Sequence, residues 1–343
     1  MTAPPGGNHR VRAFAPGRVN LIGDHTDHMG GPVLPMAIQL GTTVTGTRSG
    51  TRVELTSDAL DGEVRLDLPV DDPTTASPRW GRYVAGVAAQ LGATTGLVGR
   101  VTSDLPTGAG LSSSAALEVA SALALGGEEL ARDPLALART CQAAEQLATG
   151  VPCGIMDQLA SVAGVEGHAL LIDCSTLEIT PVPLPEQARV WVVHSGQHRT
   201  LAGSAYAERR AECERAQDEL GPLPSADIDA VERLRDPVVR ARARHVRSES
   251  ARVHEFADAL RTGDLLTAGA LMVASHRSLR EDFEVSTPAL DTLVERLVDT
   301  PGVLGARLTG AGFGGCVVAL TDPGARLEGW QVVPSAGARL QPV

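Results

Sequence analysis

Alternating apolar and polar positions mark the first part of the chain, and helical spacings dominate the second. VRAFAP, VLPMAIQL and TTVTGT, within residues 11–47, predict strands around a polar turn rich in His, Asp and Gly. Val53 and Leu55, then Val64, Leu66 and Leu68, alternate and predict a hairpin over 51–70. A helix is predicted over 79–91. LVGRVTSDLP then reads as a strand, leading into the loop TGAGLSSS and an Ala/Leu-rich helix from Ala115 to Leu125. Another helix follows over 134–148, and HALLIDC reads as a strand. The cluster TPVPLPE at 180–186 interrupts these patterns and marks a boundary between domains 1–185 and 186–343. Beyond it come the strand RVWVVHS and helices over 204–220, 236–262, 264–281 and 288–299. Two strands around a glycine turn follow in GVLGARLTGAGFGGCVVAL.

Length supports two domains, since 343 residues exceed one compact core. Aromatic residues are only 3%, so Ala, Val and Leu must build most of the interior. The net charge of -11 gives no general attraction for nucleic acid or anionic membrane, and neither is an expected partner. Any phosphate must therefore be held by a local device. No lysine occurs, and all 30 basic residues are arginine. That excludes a Walker A loop, a protein-kinase strand lysine, and Schiff-base or pyridoxal chemistry. Five widely spaced cysteines without a CxxC pair fit reduced thiols in the cytoplasm. The first ten residues lack the apolar stretch of a signal peptide, and no run is long enough to span a bilayer.

Four segments carry candidate chemistry. In Gly108-Ala109-Gly110-Leu111-Ser112-Ser113-Ser114, glycines let the backbone approach an anion and serines open a helix. Free N–H groups and the helix dipole there could hold a phosphate without lysine, although an ordinary capped turn has the same composition. Gly310-Ala-Gly-Phe-Gly-Gly315 has the look of a dinucleotide fingerprint, but a strand follows it instead of a helix, so a hairpin loop near a ligand fits better. Arg18, Asp24, His25 and Asp27 crowd into one polar turn suited to hydrogen bonding several hydroxyls. Zinc ligands are usually better spaced, and a solvated turn is the plain alternative. Asp157, among apolar neighbours in CGIMDQ, is either a poised base or a helix cap.

Together these segments resemble the galactokinase family of the GHMP small-molecule kinases. APGRVNLIGDHTDHMGG is similar to its sugar signature and LPTGAGLSSSAALE to its ATP loop. CGIMDQLAS, SAYAERRAEC, SHRSLREDFEVS and RLTGAGFGGC follow in family order, over about residues 14–335. The resemblance implies an α+β fold of two domains, the first like ribosomal protein S5 domain 2 and the second ferredoxin-like. It implies ATP-dependent phosphorylation of an anomeric hydroxyl, with galactose as leading substrate, by a monomer or weak homo-oligomer. Gly108 to Ser114 would wrap the ATP phosphates, with Trp80 beside the adenine, and Ser114 and Glu145 would hold Mg²⁺. Asp157 would accept the proton and Arg18 would stabilise the transferring phosphoryl. Asp24, His25, Asp27, Gly154 and Tyr206 would hold the sugar. The family's Glu-His-Thr-Asp-Tyr-Asn is here Asp24-His-Thr-Asp-His28-Met29, and a helix usual near the family's C-terminus has no counterpart. These departures leave open another ring polyol as substrate. A non-catalytic sugar sensor is the remaining alternative, against which Arg18, Ser112 to Ser114 and Asp157 all stand intact.

Overall fold

The computed structural model describes residues 9–106, 108–197 and 202–343; Thr107 of the glycine–serine loop lies outside them. The first half comprises β1 (His9–Asn20), β2 (Pro32–Val33), β3 (Pro35–Arg48), β4 (Arg52–Ser57), β5 (Val64–Asp67), α1 (Gly81–Gln90) and β6 (Leu97–Ser103). It continues with α2 (Ser113–Ala131), α3 (Pro134–Thr149), α4 (Met156–Ala163), β7 (His168–Asp173) and β8 (Glu178–Pro183). The second half holds β9 (Arg189–His194), α5 (Ala202–Leu220), α6 (Ile228–Glu232), α7 (Pro237–Thr262) and α8 (Leu265–Glu281). After these come α9 (Pro288–Val298), β10 (Val303–Leu308), β11 (Cys316–Thr321), β12 (Trp330–Val332) and β13 (Arg339–Leu340). Strands and helices are mixed in two units, as the α+β expectation requires.

The boundaries have local causes. Asp133 caps α3 by accepting from the Ala136 N–H, Pro134 occupies the first turn, and Gly150 closes the helix in the left-handed conformation. Asp236, Pro237 and Gly263 do the same for α7. VLPMAIQL from Pro35 onward and TTVTGT merge into the single strand β3, because β1 pairs antiparallel with it on both sides of one irregularity between Pro16 and Arg18. The expected hairpin is β4–β5, and β4 also pairs in parallel with β6.

Six strands form one sheet in the order β13-β1-β3-β6-β4-β5, and β2, β7 and β8 form a small second one. The third sheet runs β10-β11-β9-β12, all antiparallel. That is the ferredoxin-like order, with turns in place of a helix in the crossover between β11 and β12. The proline cluster is a strand and not a linker. Pro181 and Pro183 lie in β8, which among the described residues pairs with β7 alone, and an edge strand tolerates residues without an N–H. The chain then crosses to β9. A single boundary at 185 misses a second crossing, since after β12 the chain returns and β13 pairs with β1.

The interior is continuous across both halves. Leu21, Ile22, Met36 and Ile38 pack in one buried cluster with Val190, Val192, Phe256 and Met272. Helix α8 lies directly on β10. A Cβ on Gly269 would stand 2.0 Å from the Leu304 carbonyl oxygen, and one on Gly305 would stand 2.2 Å from the Gly269 oxygen. Gly269→Val should therefore lower the free energy of unfolding by about 1–3 kcal/mol through overpacking. A urea midpoint equal to that of the parent protein would show that α8 can lift from β10 without loss.

Candidate active site

A cavity of about 570 Å³ lies where β1, the glycine–serine loop, the starts of α1 and α4, α5 and the β10–β11 loop converge. Its centre is an ion pair. Arg18 on β1 donates from Nε to Asp157 Oδ1 and from Nη2 to Asp157 Oδ2, both at 2.8 Å, and from Nη1 to the Gly110 carbonyl at 2.7 Å. This two-pronged geometry fixes the Asp157 carboxylate in the first turn of α4. Ser112 adds a third donor through its hydroxyl. Ser112 sits at φ 57, a left-handed conformation that an L-residue adopts only when its surroundings compel it.

The loop beside this pair has the features an anion needs. Gly108 and Gly110 have φ of 75 and 71, α2 starts at Ser113, and its first turn has no acidic residue. Gly108, Gly110 and Ser112 to Ser114 line the cavity, whereas Ala109 and Leu111 turn into the core. Arg79, Arg82 and Tyr83, at the start of α1, line it too. Trp80 does not. It is buried in the core of the first half and its Nε1 donates to the Asp61 carbonyl at 3.0 Å, so the expected contact with an adenine is not available to it. Arg79 and Trp80 lie in the turn before α1, where the first faces the cavity and the second the core.

Ser114 Oγ donates to Glu145 Oε1 at 3.0 Å. Burial, then the Asp157 charge, push the Glu145 carboxyl upward. A hydroxyl and a buried carboxylate short of positive charge suit a hard divalent cation. Among the described residues, no group of three His, Cys, Asp or Glu could hold a metal alone. Any such ion would need further ligand oxygens, from a bound phosphate or from water.

Asp24, His25, Asp27, Gly154 and Tyr206 line the same cavity. Asp24 is committed on both oxygens. Oδ1 accepts from Asn20 Nδ2 at 3.0 Å and from the Gly310 N–H at 3.2 Å, and Oδ2 accepts from Arg307 Nη2 at 2.6 Å. It can offer a ligand little more than one lone-pair direction. Arg307 is wholly buried; it also donates to the Leu21 carbonyl and lies 4.0 Å from Glu249. His25 stacks 4.6 Å from Phe283 and 5.6 Å from Tyr206, and burial lowers its pKa well below the usual value. Burial and the Asp157 charge raise Asp27 to about 6. Gly154 is required by contact, since a Cβ there would lie 1.7 Å from Asp27 Oδ2. His28 packs against Tyr206, and Met29 turns into the core of the second half.

Arg79, Arg82, Tyr83 and Arg307 were not legible as site residues. The signal for Arg307 is a lone charge inside the apolar strand VLGARL, which demands a buried partner.

Relatives agree with this architecture. A profile of the galactokinase galactose-binding signature matches residues 6–48, the GHMP kinases N terminal domain matches 82–165 and the GHMP kinases C terminal region matches 256–338. Galactokinase from Homo sapiens is 45% identical over 340 residues, covering 93% of this chain and 86% of that protein. The chain belongs to the galactokinase family. Another galactokinase, from Chloroflexus aurantiacus, is 43% identical over 358 residues, 96% of this chain and 90% of that one. The crystal structure of Lactococcus lactis galactokinase complexed with galactose superposes with a TM-score of 0.88 at 31% identity, covering 96% of this chain and 95% of that chain. Methanococcus jannaschii mevalonate kinase, at 20% identity and a TM-score of 0.65 over 93% of this chain and 92% of that one, shares the fold.

Two predictions come from the buried charges. Arg307→Met leaves Asp24 without its cation, and should cost about 3–5 kcal/mol of stability in urea unfolding; a loss within experimental error would mean the pair is dispensable. Asp27, with its folded pKa raised from 3.8 to about 6, favours folding below about pH 4, and that contribution is lost as pH rises through 6. Asp27→Asn should therefore reduce the loss of stability between pH 4 and 7 by about 2–3 kcal/mol. An unaltered pH–stability curve would contradict the raised pKa.

Proposed function

We propose that this chain transfers the γ-phosphoryl group of ATP to the anomeric hydroxyl of galactose, forming galactose 1-phosphate. The observation that carries the reading is the Arg18–Asp157 pair, which stands between an anion-ready loop and a polar, aromatic-walled recess in one cavity. The galactose in the Lactococcus lactis complex supports galactose as the sugar.

The chain's own residues account for the steps. Gly108 to Ser114 wrap the phosphates with backbone N–H groups, and Arg79 and Arg82 supply fixed positive charge. His25, Asp27, Tyr206 and the remaining lone pair of Asp24 orient the sugar hydroxyls. Asp157 accepts the anomeric proton. Arg18 and Ser112 occupy three of the roughly four lone-pair directions of its carboxylate, so one remains for that proton. Arg18, permanently cationic, also faces the charge that develops on the transferring phosphoryl. Ser114 and Glu145 would hold Mg²⁺, which would supply neutralisation of the phosphate charge. Phosphoryl transfer needs alignment and charge compensation more than covalent help, and this arrangement supplies both.

Asp157→Asn keeps the shape of the side chain and removes its basicity. It should lower kcat by about 10²–10⁴-fold while the variant remains folded, as judged by a cooperative thermal melt. The assay is coupled ADP release with Mg-ATP and a panel of galactose, 2-deoxygalactose, N-acetylgalactosamine, glucose, arabinose and cyclitols. Saturable turnover led by galactose is expected. Turnover confined to another member of the panel would refute the choice of sugar, and full activity of the Asn variant would refute the role of Asp157.

A further inference from the structure

Two fully buried polar residues beside this centre take no part in the steps above. Glu118 lies one helical turn beyond Ser114 on α2, and Gln158 follows Asp157 on α4. The Gln158 amide nitrogen donates to Glu145 Oε2 at 2.7 Å and to Glu118 Oε2 at 3.1 Å. Cys153 Sγ reaches the same Glu145 oxygen at 3.5 Å, a weaker contact. Glu145 Oε1 is left to Ser114.

We propose that Gln158 is a positioning residue: its amide pins Glu145 Oε2 so that Oε1 faces Ser114 and a metal ion, and Glu118 anchors the amide from behind. This rests on the reading of Ser114 and Glu145 as the Mg²⁺ ligands. The two N–H bonds of a primary amide diverge in one plane, so fixing one on Glu118 sets the direction of the other. A carboxylate held at one oxygen cannot rotate to present its pinned face, and its free oxygen keeps one bearing. Burying the Glu118 carboxyl and the Gln158 amide is costly, and packing alone is served as well by apolar residues of the same volume. Glu118 Oε1 and the Gln158 carbonyl have no partner among the described residues, so the cluster is not one built to satisfy itself. Gln158 also ties the metal carboxylate to the helix that carries Asp157. The base and the ligand are thereby set from one rigid element, an outer-sphere arrangement of the kind that orients metal ligands.

The test is the affinity for a non-hydrolysable ATP analogue, measured calorimetrically once in excess EDTA and once in excess Mg²⁺. The ratio of the two Kd values isolates the contribution of the metal. Gln158→Met keeps the side chain's length and removes both donors. It should cut the ratio about tenfold and leave the EDTA value unchanged. Glu118→Leu should act in the same direction, whereas Glu118→Gln, which keeps an acceptor for the amide, should retain the parent ratio. If Gln158→Met does not fold, the two Glu118 variants decide the matter. A parent-like ratio in Gln158→Met and Glu118→Leu overturns the proposal. So does equal weakening in EDTA and Mg²⁺, which marks a purely structural role, and so does an absence of tightening by Mg²⁺ in the parent. A parent protein that binds the analogue under neither condition instead refutes the nucleotide reading of the cavity.

Discussion

Arg307 is a full positive charge sealed inside the protein, and the site hangs from the way that charge is met. It comes from β10 in the second half. Its carboxylate partner Asp24 comes from the turn after β1, 283 positions away, and Glu249 approaches from α7. Glu249 in turn accepts from the Gly23 N–H and from Ser275 Oγ. Burial alone would push the Glu249 carboxyl up, but Arg252 and Arg307 draw it down to about 2. Charges this deep are tolerable only when each has its partner in place. The turn that presents His25 and Asp27 is therefore held by partners from both halves of the chain.

That dependence explains which parts of the protein sequence reading could reach. Helices α3, α7, α8 and α9 announce themselves by apolar spacing and by Asp or Thr caps, which are local. The glycine–serine loop is local as well, and so is the order strand, loop, helix around it. Asp157 could be singled out because a carboxylate among apolar neighbours is conspicuous, but its partners Arg18 and Ser112 are 139 and 45 positions away. Which face Trp80 turns inward depends on α1 packing against its neighbours, and periodicity in so short a helix does not decide it. The prolines of β8 read as punctuation because their tolerance in an edge strand depends on how many neighbours the strand has.

The absence of lysine gives the site its electrostatic character. Phosphate-binding loops often use a flexible ammonium as a point charge, whereas here every fixed cation near the cavity is a guanidinium. A guanidinium is planar and presents its donors in fixed directions, so its charge is tied to a geometry. Arg18 shows the effect: three of its nitrogens are already assigned to Asp157 and Gly110. The cation that faces the reacting phosphoryl is held in place before any ligand arrives, and little reorganisation is left for the reaction itself.

The return of the chain to its first sheet bears on how the protein is made. Leu340 pairs with Ala13 and Arg339 with Phe14, and the Arg339 guanidinium lies 4.7 Å over the Phe14 ring. The ribosome releases β1 long before β13. Until then the outer edge of β1 has its backbone groups uncovered, a template for mispairing with other chains. Translation thus leaves β1 waiting for β13, and this edge of the sheet is closed only once both strands have been delivered.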